Sequence, residues 1–133
     1  MLHNLAHLLL CLALCFSLSS PCFAWELPSG GALNSEQGMA LLEQHGGRLT
    51  ILDVRTPGEF AAGHAPGALH IPVDELRSRI AEVPAGPVLI VCRSGRRAKN
   101  AALILMRSGR PAEGLWYLSG YADYSGGGVR FHD

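Results

Sequence analysis

Cys92 stands at the end of an apolar run and at the head of a basic loop; the stretch Leu89 to Asn100 reads LIVCRSGRRAKN. A thiol there is followed by Arg93, Ser94, Gly95, Arg96 and Arg97, and then by Lys99 beyond Ala98. A glycine-bearing loop between a strand and a helix can curl so that its backbone N–H groups point inward. Such a nest, backed by a helix N-terminus, binds anions. The same field favours thiolate over thiol and so activates a cysteine nucleophile. The residue types therefore fit a sulfur nucleophile, Cys92, attacking an anionic substrate held by Arg93, Ser94, Gly95, Arg96 and Arg97. The bland alternative is an inert, half-buried cysteine in front of a solvated basic helix end.

Other cysteine chemistries fit less well. Redox exchange wants a second thiol in a C-x-x-C arrangement, and Cys92 has none. His45, His64, His70 and His132 do not have zinc-site spacing around it, so no metal or organic cofactor is expected. Cysteine phosphatases place an arginine at the sixth position after the nucleophile. Here the sixth residue is Ala98 and the fifth is Arg97. A loop one residue shorter makes a smaller cradle, better suited to a thiosulfate-sized group than to a phosphate ester.

The elements that must position this loop are legible along the chain. Asn34 or Ser35 can cap a helix over about 36–45, and Gly46-Gly47 ends it. Residues 49–54 read as a buried strand. Thr56-Pro57-Gly58-Glu59 is a helix start, with a Thr cap, Pro in the first turn and Glu at the third position. Residues 68–71 form a brief strand and residues 73–82 another helix. Residues 88–91 form the most apolar strand. Ala98, Ala101, Ala102 and Leu105 mark a helix over about 96–107, and residues 115–118 a last strand. Strands alternate with helices and are apolar on both faces. That pattern predicts an α/β domain whose mostly parallel central sheet, of about five strands, carries helices on both faces. In such sheets the working crevice lies beyond the carboxyl ends of the strands, which is where Cys92 falls.

The 133 residues suffice for one domain. Hydrophobic content of 48 % and a balance of 11 basic against 11 acidic residues describe an ordinary globular chain with no global field for nucleic acid. Residues 8–18 read LLLCLALCFSL, too short to span a bilayer and the length of a signal-peptide core. With Cys22-Phe23-Ala24 offering small residues to a peptidase, residues 1–24 are expected to be a signal peptide, 25–33 a lead-in, 34–126 the domain and 127–133 an irregular tail. Cleavage would remove Cys11, Cys15 and Cys22 and leave Cys92 as the sole thiol, with no stable membrane insertion. An exported protein keeps a lone thiol in an oxidising compartment for a purpose.

Three motifs carry a resemblance to the single-domain rhodaneses. LDVRTPGEFAAGHAPGALHIP (residues 52–72) resembles the family's N-terminal signature, VCRSGRRA (residues 91–98) its active-site loop, and LWYLSGYADY (residues 115–124) its C-terminal segment. In that last segment Ser119-Gly120 stands where a Gly-Gly pair is common, and a tyrosine where tryptophan often stands. The resemblance covers about residues 34–126 and is nearest to the small exported rhodaneses of the periplasm. It implies a sulfurtransferase: Cys92 takes the outer sulfur of thiosulfate or a similar anionic donor as a persulfide, and a thiol or cyanide acceptor removes it. A persulfide carrier with little turnover, or a phosphatase or arsenate reductase on the same fold, are the alternatives. The resemblance also implies structural roles for Asp53, Arg55, Glu59 and His64, with Arg55 expected to pair with Glu59. Tyr121 and Tyr124 are expected at the rim of the loop, and Arg96 and Arg97 are expected to face the substrate.

Overall fold

A computed structural model describes residues 26–133, so the expected signal peptide over residues 1–24 lies outside the described residues. The core is a five-stranded parallel sheet. Its strands are β1 (Gly31–Leu33), β2 (Thr50–Asp53), β3 (Leu69–His70), β4 (Val88–Val91) and β5 (Leu115–Leu118), in the spatial order β1-β5-β4-β2-β3. β4 is central, flanked by β2 and β5, and all four of its residues are buried. An all-apolar strand is what a position covered on both faces demands.

Side chains alternate across that strand. Val88, Ile90 and Cys92 enter one core with Ala98, Ala101, Ala102 and Leu105. Leu89 and Val91 enter the other with Leu33, Leu41, Trp116 and Phe131. The first core lies under α3 (Leu76–Arg79) and α4 (Arg96–Arg107), the second under α1 (Ser35–His45). Small alanines on the inner face of α4 let it lie close on the sheet. Its N-terminus thereby comes down onto the end of β4.

The helix starts obey their local signals. Asn34 caps α1 in a reciprocal box with Gln37, and Thr56 caps α2 (Pro57–Ala61) in the same way with Glu59. Predicted helix 73–82 is shorter in the structure: only α3 is α-helical, and a 3-10 turn follows over Ile80–Glu82.

Both ends of the domain correct the sequence reading. The lead-in over residues 25–33 contains β1, which pairs with β5 through Gly31↔Trp116 to Leu33↔Leu118. The tail over residues 127–133 is not irregular either: β7 (Arg130–His132) pairs antiparallel with β6 (Tyr121–Asp123). Each strand has three residues, too few to show a period of two. β1 is hydrogen-bonded to a partner far along the chain and β7 to β6 just before it, and burial of Leu33 and Phe131 in the second core holds both down.

Candidate active site

Cys92 leaves β4 on the face of α4 and is only 1 % exposed. The backbone N–H of Ala98 donates to its Sγ at 3.4 Å. Ala98 is the third residue of α4, so this N–H is among those without an intrahelical acceptor. The N-cap residue is Gly95, which has no side chain to supply one. The Cys92 sulfur fills that role, and the positive end of the helix is spent on it.

Gly95 makes the turn possible. Its φ is +78°, a left-handed conformation that glycine adopts without steric cost. A β-carbon there would also run into the carbonyl oxygen of Ser119. Ser119 is itself clamped, donating from its N–H and its hydroxyl to the Leu33 carbonyl at 2.8 Å each. The loop thus rests on a fixed wall. Gly95→Ala is expected to lower stability by about 1–3 kcal/mol and to depress sulfur transfer, read by melting temperature and thiocyanate formation. The Ser119-Gly120 pair is also explained: Ser119's hydroxyl finds a partner, whereas a β-carbon at Gly120 would meet the His132 carbonyl.

The arginines divide. Arg97 donates from Nη1 and Nη2 to the two Glu59 carboxylate oxygens at 2.7 and 2.9 Å. Glu59 simultaneously accepts from the Thr56 N–H at 2.9 Å. One carboxylate therefore ties the start of α2 to the start of α4. Arg93, Ser94 and Arg96 are exposed around the loop, and neither Arg93 nor Arg96 has an ion-pair partner among the described residues. The expected Arg55–Glu59 pair is not formed, because a nearer carboxylate wins Arg55. Its Nε and Nη2 donate to Asp53 at 2.7 to 3.1 Å, its own N–H donates to Asp53 Oδ1, and Nη2 also reaches the Gly63 carbonyl at 2.7 Å.

The Arg97 hydrogen bonds hold the Glu59 carboxyl down at about 2, against an ordinary 4.5. A carboxyl depressed in the folded state stabilises it fully above the unfolded value, and the gain is lost as pH falls through the folded one. Wild-type protein is thus expected to melt above Glu59→Gln near neutral pH, with the gap closing between pH 4.5 and about 2. Thermal melts of both proteins across that range check it; a gap that is constant down to acid pH would count against the pairing.

The other signature residues bind one another. His64 Nδ1 meets the Phe60 carbonyl at 2.8 Å, as expected at a helix end. His70 Nε2 meets the Arg55 carbonyl at 2.9 Å. Phe60 stacks between the two imidazoles, with centroid distances of 3.7 and 4.2 Å. Tyr121 and Tyr124 do not form one rim. Tyr121 is exposed and stacks on His132 at 4.9 Å, while the Arg55 guanidinium lies 4.8 Å from the centre of the Tyr124 ring.

A cavity of about 250 Å³ opens beside this group, lined by Arg55, Glu59, Gly63, Tyr124 and Ser125 among others. A larger one, about 700 Å³, lies at the opposite end of the sheet against Pro87, Arg110 and Trp116. Neither cavity is lined by Cys92 or by the loop residues Arg93 to Arg97. Two features were missed by sequence reasoning. Glu59 anchors Arg97 from 38 positions away, a separation no local pattern reveals. Tyr124 lies deeper than a rim residue, and its only signal was its place in the C-terminal motif.

Known proteins place these features in context. The family model described as Rhodanese-like domain matches residues 37–127. A sulfurtransferase of Allochromatium vinosum is 42 % identical over 60 residues, which cover 44 % of this chain and 56 % of that protein. The match thus spans little more than half the length of that curated relative. Among solved structures, a human single-domain sulfurtransferase is 28 % identical with a TM-score of 0.55, covering 68 % of this chain and 89 % of its own. A protein of Staphylococcus saprophyticus, 21 % identical, shares the fold at a TM-score of 0.58 over 68 % of this chain and 88 % of its own.

Proposed function

This chain belongs to the rhodanese-like domain family, and we propose on that basis that it is a sulfurtransferase acting through a Cys92 persulfide, with thiosulfate or a similar sulfane sulfur anion as donor. The observation that carries the reading is the Cys92 sulfur at the end of the central strand, accepting an N–H from the first turn of α4. A sulfur so placed suits a thiolate nucleophile.

In the first step the Cys92 thiolate attacks the outer sulfur of thiosulfate. A new S–S bond forms, the bond to the sulfonate sulfur breaks, and sulfite leaves with that electron pair. Cys92 is left as a persulfide anion. In the second step cyanide or a thiolate attacks the outer sulfur and Cys92 thiolate is restored. Two half-reactions of this kind give ping-pong kinetics. Arg93 and Arg96, exposed on the loop, are the cations for the incoming sulfonate. Arg97 serves instead as the strut that holds the loop to Glu59. Phosphate-ester chemistry is disfavoured because Ala98, not arginine, stands sixth after the cysteine.

The apolar run over residues 8–18 supports an exported, periplasmic setting for this reaction. The test is mass spectrometry of the protein after incubation with thiosulfate. A gain of one sulfur atom at Cys92, discharged by cyanide with repeated turnover, is the expected result. Loading without turnover would instead indicate a sulfur carrier, and no adduct would sink the reading.

A further inference from the structure

The cavity of about 700 Å³ lies at the amino ends of the strands, away from the thiol. Pro87 and Gly114, the residues immediately before β4 and β5, are part of its lining. Its volume falls in the range of small-molecule sites, about 300–1,000 Å³. Much of the wall is apolar, with Pro87, Pro111 and Trp116 contributing. The Trp116 Nε1–H is committed to the Pro28 carbonyl at 2.7 Å, so the indole offers carbon surface rather than a free donor. The His45 ring stands against it, with centroids 5.6 Å apart and planes tilted by 54°.

Two arginines, Arg48 and Arg110, share this lining with one carboxylate, Glu113. Neither arginine is in an ion pair among the described residues. Arg48 is exposed at the end of the 3-10 turn Gly46–Arg48. Arg110 is half-buried and fixed in place. Gly109, with φ of +99°, closes α4 in a Schellman turn: its N–H donates to the Met106 carbonyl at 3.0 Å and the Arg110 N–H to the Leu105 carbonyl at 3.1 Å. The Arg110 guanidinium then donates from Nη1 to the Pro84 carbonyl at 2.9 Å and from Nη2 to the Gly86 carbonyl at 2.6 Å. A guanidinium has five N–H donors, and the other three have no acceptor among the described residues. Burial works against the Arg110 charge, and no carboxylate offsets it. A rigidly held, partly desolvated guanidinium without a counter-ion, beside flat apolar walls, suits an organic anion.

We propose that this cavity binds a small organic monoanion with a flat aromatic body. Arg110 and Arg48 hold its anionic group, and its ring lies against Trp116 and the two prolines. Two arginines against one carboxylate leave a single positive charge to be met. The site is separate from sulfur transfer at Cys92, whose loop contributes nothing to this lining.

Isothermal titration calorimetry with 1-naphthalenesulfonate tests this, read together with the NMR resonance of the Trp116 indole N–H. Binding is expected to shift that resonance, to persist in Cys92→Ser and to be unaffected by excess thiosulfate. 1-Naphthalenemethanol, the same ring without the charge, is expected to bind about tenfold more weakly, the scale of losing one hydrogen bond to a charged group. Arg48→Glu replaces an exposed side chain that has no ion pair. It is expected to keep the melting temperature and the thiocyanate rate while losing about tenfold or more in affinity for the sulfonate. No binding, equal affinity for the charged and neutral probes, or equal affinity in wild type and Arg48→Glu would overturn the proposal. Competition by thiosulfate would also overturn it, by putting the probe at the Cys92 loop. Sedimentation velocity tests the other occupant: a dimer that Arg48→Glu dissociates would make this face a contact between copies of the chain, and the proposal would fall.

Discussion

Cys92→Ser is expected to leave a folded protein that forms no thiocyanate from thiosulfate and cyanide. The substitution changes one atom in a site 1 % exposed, and a serine oxygen can still accept the Ala98 N–H that now reaches Sγ. Stability should therefore move by about 1 kcal/mol or less, the scale of one hydrogen bond exchanged for another. The chemistry has no such tolerance. A serine hydroxyl is far less acidic than a thiol, and its oxygen cannot hold the transferred sulfur as a persulfide. Losing a covalent nucleophile typically costs about 10³-fold or more in rate. Circular dichroism and steady-state assays on the same sample measure both halves. Retained turnover in the folded variant would remove Cys92 from the mechanism.

The largest effect on stability is expected at Asp53, whose carboxylate is fully buried. It receives the Nε, Nη2 and backbone N–H of Arg55, itself only 9 % exposed. Asp53→Ala would leave a guanidinium in the interior with only the Gly63 carbonyl. Breaking one side of a buried pair costs about 3–5 kcal/mol. Against a total of roughly 5–15 kcal/mol for a domain, that is a large share. The melting temperature should fall by roughly 15 °C or more. Replacing both partners, Asp53→Ala with Arg55→Met, removes the stranded charge and should recover much of the loss. If the double variant is as unstable as the sum of the singles, the pair is not the unit that the geometry indicates.

These two residues show how differently a site can be written into a sequence. Cys92 announces itself: a lone thiol after Leu89-Ile90-Val91, with glycine and arginines behind it. Strand, loop and helix are adjacent in the chain, so local rules of hydrophobic run, glycine turn and alanine spacing locate it. The predicted helix 96–107 coincides with α4, and the Thr56–Glu59 capping box forms as read. The role of Arg97 was not local. Its sequence neighbours point to an anion cradle, but its guanidinium is bound to Glu59, a residue whose nearest apparent partner was Arg55. Which cation a carboxylate takes depends on where separate helices end in space, and spacing along the chain does not carry that.

By itself, the sequence determined the parallel α/β architecture, the central apolar strand and the thiol at its carboxyl end. Each follows from patterns repeated over enough residues to outweigh chance, and from a backbone turn that glycine alone makes easily. Only the tertiary structure decided the short strands β1 and β7, the pairing of Arg97 with Glu59 and the burial of the Tyr124 hydroxyl. The pairing of β1 with β5, the seat of Phe131 in the second core and the Arg97–Glu59 pair rest on contacts between distant segments. Their free energy comes from burial and hydrogen bonds that exist only once the sheet has brought those segments together.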